Sequence, residues 1–303
     1  MKKFLLKHSV TLLSLTFLSN CTFQHHEVAI APIYSESNQK EIRVALVLSG
    51  AGAKAIVHAG VISALEKHNI PIDLIVGSSA GSLVGLFYAD SKDIDHVKSV
   101  LSEMSRKNVL DVPPSYAMVR SVVFNTGTKL EKFDNFLKAR VKSKNFEDLK
   151  LPLVVVGTDV NEGKSVMYNS GAVIPAVLAS VSIPGIFEPV RLGDRLLTDG
   201  AVSSPVPVLE AKRYNPKVII AVNATVPQFT EIKSHKDLMY RSYAISYNNL
   251  AALEASLADV QITPDMANFN WLKDFNKEDK EKIFNQGFIA TEKVIDQIKN
   301  KLS

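Results

Sequence analysis

Residues 46–55 read LVLSGAGAKA, an apolar run that stops at a loop of small residues. With Val44 and Ala45 ahead of it, the run 44–48 shows no polar alternation, the pattern of a strand covered on both faces. Gly50, Gly52 and Ala55 satisfy G-x-G-x-x-[GA], a spacing that turns backbone N–H groups and a helix N terminus toward an anion. A helix follows: Ile56, Ala59, Ile62 and Leu65 fall at helical spacing up to Asn69, and Pro71 resets the chain. A second apolar run at 72–76 predicts another buried strand, and 77–81 turns directly into a helix over 82–89. Strand, helix and strand in succession make a βαβ unit. The fold class is therefore α/β, with three layers (helix, sheet, helix) around a mostly parallel central sheet.

Downstream, apolar runs recur at 153–158, 166–168, 195–198, 218–222 and 260–263. Helical stretches lie between and after them: 91–149 with breaks at Pro113-Pro114 and 125–128, then 175–180, 238–258 and 277–302. No repeat and no Pro/Gly-rich break after Lys40 divides the chain, so residues 41–303 read as one domain. Lysines and acids mix along stretches such as 277–282, the pattern of a solvated face.

Upstream, Lys2 and Lys3 precede an apolar segment at 10–18 that is too short to cross a bilayer, which predicts an export signal over residues 1–20. It ends Leu18-Ser19-Asn20-Cys21, and Cys21 is the chain's only cysteine. The ending resembles a bacterial lipobox, with Asn20 where Gly, Ala or Ser is usual. On that reading Cys21 carries a lipid and residues 21–40, with His25 and His26, form a tether. The protein then sits in the bacterial cell envelope, held to a membrane on its periplasmic or outer-membrane face. A single cysteine excludes an internal disulfide framework. Removing Lys2, Lys3 and Lys7 from a formal net charge of +4 leaves about +1, too little for a nucleic-acid footprint.

Gly77-Ser78-Ser79-Ala80-Gly81 is G-x-S-x-G between a predicted strand and a predicted helix. A strand that turns at once into a helix forces its central residue into a strained conformation, with Ser79 Oγ presented at the helix N terminus. The dipole there favours developing negative charge. Ser79 is thus a candidate nucleophile, against the plainer reading of a βα turn in which Ser78 or Ser79 caps the helix. The Gly loop and Ser79 belong to successive strands of one βαβ unit, so their helix N termini share one sheet edge. N–H groups around Ala51 and Gly52 can then cradle an oxyanion formed at Ser79.

A serine nucleophile needs a base. His8, His25 and His26 fall in the signal and tether, His68 and His96 at polar helix ends, and His58 reads as a packing or capping residue. That leaves His235, and the order Ser79, Asp199, His235 matches the α/β-hydrolases. The spacing does not, because an α/β-hydrolase nucleophile strand lies deeper in the sheet. Asp199-Gly200 in isolation is a turn former. Asp159 reads as part of the turn with Asn161 and Gly163, and Asp73 as a residue that caps or solvates a strand start. Phe87, Tyr88, Phe124 and Phe187 read as core, with some of residues 118–124 a candidate border for an acyl groove.

Together, Gly50-Ala51-Gly52-Ala53-Lys54-Ala55, Gly77-Ser78-Ser79-Ala80-Gly81 and Asp199-Gly200-Ala201 resemble the patatin-like phospholipases. The segments 157–161, 179–187 and 260–265 extend the likeness over most of 44–298. The resemblance implies a Ser79–Asp199 dyad without histidine, an oxyanion loop at 50–55, an acyl-enzyme, and a phospholipid or lysophospholipid substrate. Ala51 and Ala55 stand where the family usually has Gly, and Lys54 where it often has Arg. Alanine keeps its N–H, so Ala51 can serve an oxyanion if its φ is negative.

No cofactor or metal is expected. A dinucleotide site needs an acid ending the second strand, and this strand ends Ile75-Val76-Gly77-Ser78 with Asp73 at the other end. A P-loop needs Gly-Lys-[ST], and Lys54 is flanked by alanines. The rival class is a non-catalytic lipid-binding or envelope-scaffold lipoprotein on the same fold.

Overall fold

The structure is a computed structural model that describes residues 25–26, 41–110, 113, 116–117, 127–225, 231–269 and 273–303 of the 303. The expected signal (1–20), Cys21, the rest of the tether beyond His25-His26, and residues 118–124 lie outside the described residues.

The strands are β1 (His25–His26), β2 (Val44–Leu48), β3 (Leu74–Ser78), β4 (Leu153–Asp159), β5 (Lys164–Tyr168), β6 (Val190–Leu192), β7 (Arg195–Asp199), β8 (Val218–Val222) and β9 (Val260–Ile262). They form one sheet in the order β1-β6-β7-β4-β3-β2-β8-β9, with β5 paired to β4. Pairings from β4 through β9 on the β3 side are parallel, whereas β5, β6 and β7 add an antiparallel margin. Two residues of the expected tether, His25-His26, pair with Arg191 and Leu192 at one edge.

Helices α1 (Ile56–Lys67), α2 (Ala80–Ser91), α3 (Ile94–Glu103), α4 (Arg106–Val109), α5 (Glu131–Lys138) and α6 (Val173–Ser180) are followed by α7 (Val208–Lys212), α8 (His235–Ala255), α9 (Lys277–Glu292) and α10 (Ile295–Leu302). Alternate strand residues enter two separate cores. Leu46, Leu48, Ile75 and Val155 pack with α1, α2, α6 and α9. Ala45, Val47, Val76 and Val156 pack with Val208 and Ala211 of α7 and Ala251 and Ala255 of α8. A sheet apolar on both faces must be covered on both, which produces the three layers.

Three expectations shift. The second strand is Leu74–Ser78 rather than 72–76, because Ser78 pairs with Val156 while Ile70 and Ile72 are buried ahead of it. The last expected helix, 277–302, divides at Lys293-Val294 into α9 and α10. The 277–282 stretch is not wholly solvated: Lys280 is buried, and its Nζ donates to the carbonyl oxygens of Ser102 (2.8 Å) and Met104.

The topology also explains how Asp199 reaches Ser79. β3 pairs with β4 over Leu153–Val156 and then leaves the sheet, and β5 holds the other side of β4. Antiparallel β7 takes up the vacated side at Gly157–Asp159, with Asp199 opposite Gly157. The two strands meet end to end, so the end of β7 arrives where β3 turns into α2.

Candidate active site

β3 ends at Ser78 and α2 begins at Ala80, leaving Ser79 alone as the turn. Its φ of 52° and ψ of −122° are a conformation that non-glycine residues avoid. Several bonds hold it there. The Ser79 N–H donates to Ser180 Oγ (2.9 Å), which in turn donates to the Val156 carbonyl (2.6 Å). The Ser79 carbonyl accepts from Ser82 N, Leu83 N and Ser82 Oγ. The flanking glycines are steric necessities: a Cβ on Gly77 would lie 2.6 Å from the Ser82 backbone, and one on Gly81 2.1 Å from the Leu48 carbonyl oxygen. Ser79 was expected to present an exposed Oγ. It is instead only 5% accessible, lining a cavity. Ser78 points elsewhere, with its Oγ buried and without a hydrogen-bond partner among the described residues.

Ser79 Oγ donates to Asp199 Oδ2 at 2.7 Å, and Asp199 Oδ1 accepts the Ala201 N–H at 2.9 Å. The Asp199 backbone is fixed as well, its N–H on the Ser182 carbonyl and its carbonyl on Thr158 Oγ1. Gly200 passes so close to β4 that a Cβ would meet the Val156 carbonyl oxygen at 2.0 Å. Burial raises the Asp199 carboxyl to about 7, against the lowering effect of its two hydrogen bonds. No imidazole intervenes in this contact. His235 is exposed in the first turn of α8, and His58 is buried with Nε2 on the Ser49 carbonyl (2.9 Å), held neutral with its pKa lowered to about 4 by burial. Asp159 closes its own turn through the N–H groups of Asn161 and Glu162, and Asp73 accepts from Arg43 N and Val44 N at the entry to β2.

The Gly loop lies beside Ser79. Gly52 has φ +56°, and Ala51 has φ −145°, the negative value that the extra Cβ requires. The neighbouring amides are engaged: Gly50 N–H on the Pro205 carbonyl, and Lys54 and Ala55 N–H on Ala51 and Gly52 in a 3-10 turn. The N–H groups of Ala51, Gly52 and Ala53 have no acceptor among the described residues. Lys54 is not a surface charge. It is buried, donates from Nζ to the Ala224 carbonyl (2.9 Å), and has its pKa lowered to about 8 by burial. Ser49 Oγ accepts Ala224 N–H at 3.0 Å, so Lys54 and Ser49 both moor the loop to the segment after β8.

Gly52, Ala53, Ser79 and Ala80 line a cavity of about 140 Å³. Its walls are apolar, among them Leu83, Leu110, Phe133, Ile186 and Phe187, while Arg106 and Lys273 also contribute to its lining. Phe187, expected as core, therefore also lines the cavity. Tyr243 and Tyr247 of α8 both feel the Asp199 charge. Ser180 and these tyrosines were not singled out by the sequence. Ser180 lay inside a segment of family likeness but had no role there, and nothing local marks a tyrosine of one helix as the neighbour of a distant loop. Among the described residues, no group of His, Cys, Asp and Glu is placed to hold a metal ion.

The patatin-like phospholipase profile matches residues 46–212, short of the 298 to which the likeness was read. Lysophospholipase NTE1 of Debaryomyces hansenii is 32% identical over 182 residues, 59% of this chain and 12% of that protein. An uncharacterized NTE family protein of Mycobacterium bovis is 33% identical over 183 residues, 60% of this chain and 49% of that protein. The chain thus spans half or less of the length of these relatives. VipD from Legionella pneumophila shares the fold, with a TM-score of 0.55 at 16% identity over 89% of this chain and 70% of that one. A profile match unbroken from β2 to α7, over more than half of the 303 residues, makes this chain a member of the patatin-like phospholipase family.

Proposed function

We infer that the chain is a serine acyl hydrolase of phospholipid or lysophospholipid esters, with Ser79 as nucleophile and Asp199 as its base. The observation that carries this reading is the 2.7 Å bond to a buried Asp199 carboxyl from the Oγ of Ser79, which lines an apolar cavity. Ionised Asp199 takes the Ser79 proton as Oγ bonds to the ester carbonyl carbon. The carbonyl electron pair becomes an oxyanion beside the N–H groups of the Gly loop at Ala51, Gly52 and Ala53. The Ser79 N–H is already committed to Ser180 and is not one of these donors. When the intermediate collapses, the bond to the alcohol breaks and Asp199 returns the proton to the departing oxygen. Water then attacks the acyl-enzyme with Asp199 again accepting a proton, and Ser79 regains its hydrogen.

The apolar cavity suits an acyl chain. Labelling by a fluorophosphonate probe tests the reading: the full chain should be labelled and Ser79→Ala should not. A folded wild-type chain that takes no label would instead favour the lipid-binding scaffold. Product analysis on a mixed phospholipid and lysophospholipid panel would then fix the head group and acyl position. A lipid on Cys21 would hold the site at the surface where such esters lie, and metabolic labelling with a palmitate analogue, lost in Cys21→Ser, tests that separately.

A further inference from the structure

α8 meets the second core through Ala251 and Ala255, and polar residues share its inward side. Asp237, Arg241, Tyr247 and Asn248 are partly buried and Glu254 is fully buried, while Leu238, Met239, Ile245 and Leu253 face outward. Glu254 pins the helix to the loop after Asp199: its carboxylate accepts the Val206 N–H (2.8 Å) and the Ser204 hydroxyl (3.0 Å). Two turns earlier, Tyr247 projects over the Gly loop. A Cβ on Gly50 would stand 2.5 Å from the Tyr247 hydroxyl oxygen, 2.9 Å from Ala201 Cβ and 3.6 Å from Ser79 Cβ. The hydroxyl therefore occupies the space that makes position 50 a glycine, on a side of the Gly loop that Ser79 Cβ also approaches. Among the described residues it has no hydrogen-bond partner, nor is it a sealed, unsatisfied atom. The ring is stacked on Tyr243 with centroids 5.9 Å apart. The cavity assigned to the acyl chain has no lining residue from α8 among the described residues, so Tyr247 lies outside it.

We propose that Tyr247 donates a hydrogen bond to the leaving-group oxygen of the ester, so that the inner face of α8 receives the alcohol of the lipid. This rests on the reading of Ser79 as an acyl-transfer nucleophile. As the acyl carbon–oxygen bond breaks, its electron pair stays on the alcohol oxygen. The Tyr247 hydrogen meets that developing charge while the proton from Asp199 neutralises it. The attacking water of the second half-reaction occupies the same place. Burial and the charge of Asp199 hold the phenol well above its ordinary range, which keeps it a donor at any working pH.

The test is Tyr247→Phe in the full chain, assayed as kcat/KM on two esters of one fatty acid: a p-nitrophenyl ester, whose alcohol departs unaided, and lysophosphatidylcholine, whose glycerol alkoxide does not. Phenylalanine keeps the ring stacked on Tyr243. The lysophospholipid rate should fall roughly 10- to 100-fold, the range for a bond to a developing charge, and the aryl ester rate less than about threefold. Equal losses on both esters, or none, would overturn the proposal. Should Tyr247→Phe lose its thermal transition, a leaving-group series decides. The series is run with Tyr247 replaced by 3-fluorotyrosine, a more acidic donor of the same shape: a shifted ratio of lysophospholipid to aryl ester rates supports the donor, and an unchanged ratio overturns it. A wild-type chain that neither takes the fluorophosphonate label nor turns over either ester sinks the hydrolase reading itself.

Discussion

Burial raises the Asp199 carboxyl from 3.8 to about 7 although Ser79 and Ala201 both donate to it, so desolvation outweighs two hydrogen bonds. The consequence for the proposed base is a defined pH window. Activity in kcat/KM should rise with pH up to about 7 and level off above it, because only the carboxylate accepts the Ser79 proton. A profile with its midpoint near 4 would remove this argument. Stability should run the other way. A carboxyl whose pKa is raised on folding binds its proton more readily folded than unfolded, so ionisation costs stability as pH climbs from about 4 to about 7. Asp199→Asn keeps Oδ1 for the Ala201 N–H and turns Nδ2 toward Ser79 Oγ, without the charge. It should lose at least about a hundredfold in kcat, the usual scale of a general base, yet melt several degrees above wild type at pH 8. A lower melting point there would contradict the desolvation account. Ser79 carries strain of a different kind. Its φ of 52° is retained in Ser79→Ala and relieved in Ser79→Gly, so the glycine variant should be more stable than the alanine variant by about 1 kcal/mol or more. Denaturant midpoints of the two inactive proteins measure the difference.

Between elements, α1 and α9 cross in close backbone contact. A Cβ on Gly60 would lie 2.0 Å from the Phe284 carbonyl oxygen, and one on Gly287 would lie 2.0 Å from that of Val57. Two backbones pressed together through paired glycines cannot admit a methyl without moving apart. Gly287→Ala should therefore destabilise by roughly 1–3 kcal/mol, read as a lower urea midpoint. An unchanged midpoint would show that α9 can shift freely. The sequence displayed the elements better than their contacts. Runs such as 44–48 and 218–222 were legible as strands because a strand covered on both faces leaves no polar position. The paired role of Gly60 and Gly287 was not legible, since each is only a glycine inside a helical pattern. Lys280 misled for a related reason: a lysine among acids on a helix looks solvated, and nothing local reveals that the carbonyls of Ser102 and Met104 converge on its Nζ. At the candidate site, the Gly loop, Ser79 and Asp199 were legible as candidates because each is a local pattern tied to a turn. Ser180 and Tyr247 could not, because they come to Ser79 and Gly50 only through the packing of α6 and α8.

For the molecule as a whole, the family match ends at 212, yet the sheet does not. β8 lies beyond the match and pairs with β2 through five residues, Val44 opposite Val218 to Leu48 opposite Val222. It thereby makes the strand leading into the Gly loop an interior one. The same C-terminal part supplies α9 against α1, α8 against the second core, and the Ala224 carbonyl that receives Lys54. A family profile records what is shared among relatives, whereas a fold must close its core with whatever the chain provides. Val218, Ile219, Ile220 and Val222 are all buried, and at roughly 1.5–3 kcal/mol each their loss rivals the entire 5–15 kcal/mol of a typical folded domain. Ending the described domain at Lys212 would also leave β2 as an apolar edge strand, open to pairing with another chain. Residues 41–212 alone should therefore show no cooperative thermal transition by circular dichroism and should bind a hydrophobic dye, while residues 41–303 melt in a single sharp step. A truncated protein that melts sharply near the temperature of the longer one would mean that the family segment closes its own core, and that β8 and α9 are additions to a finished fold.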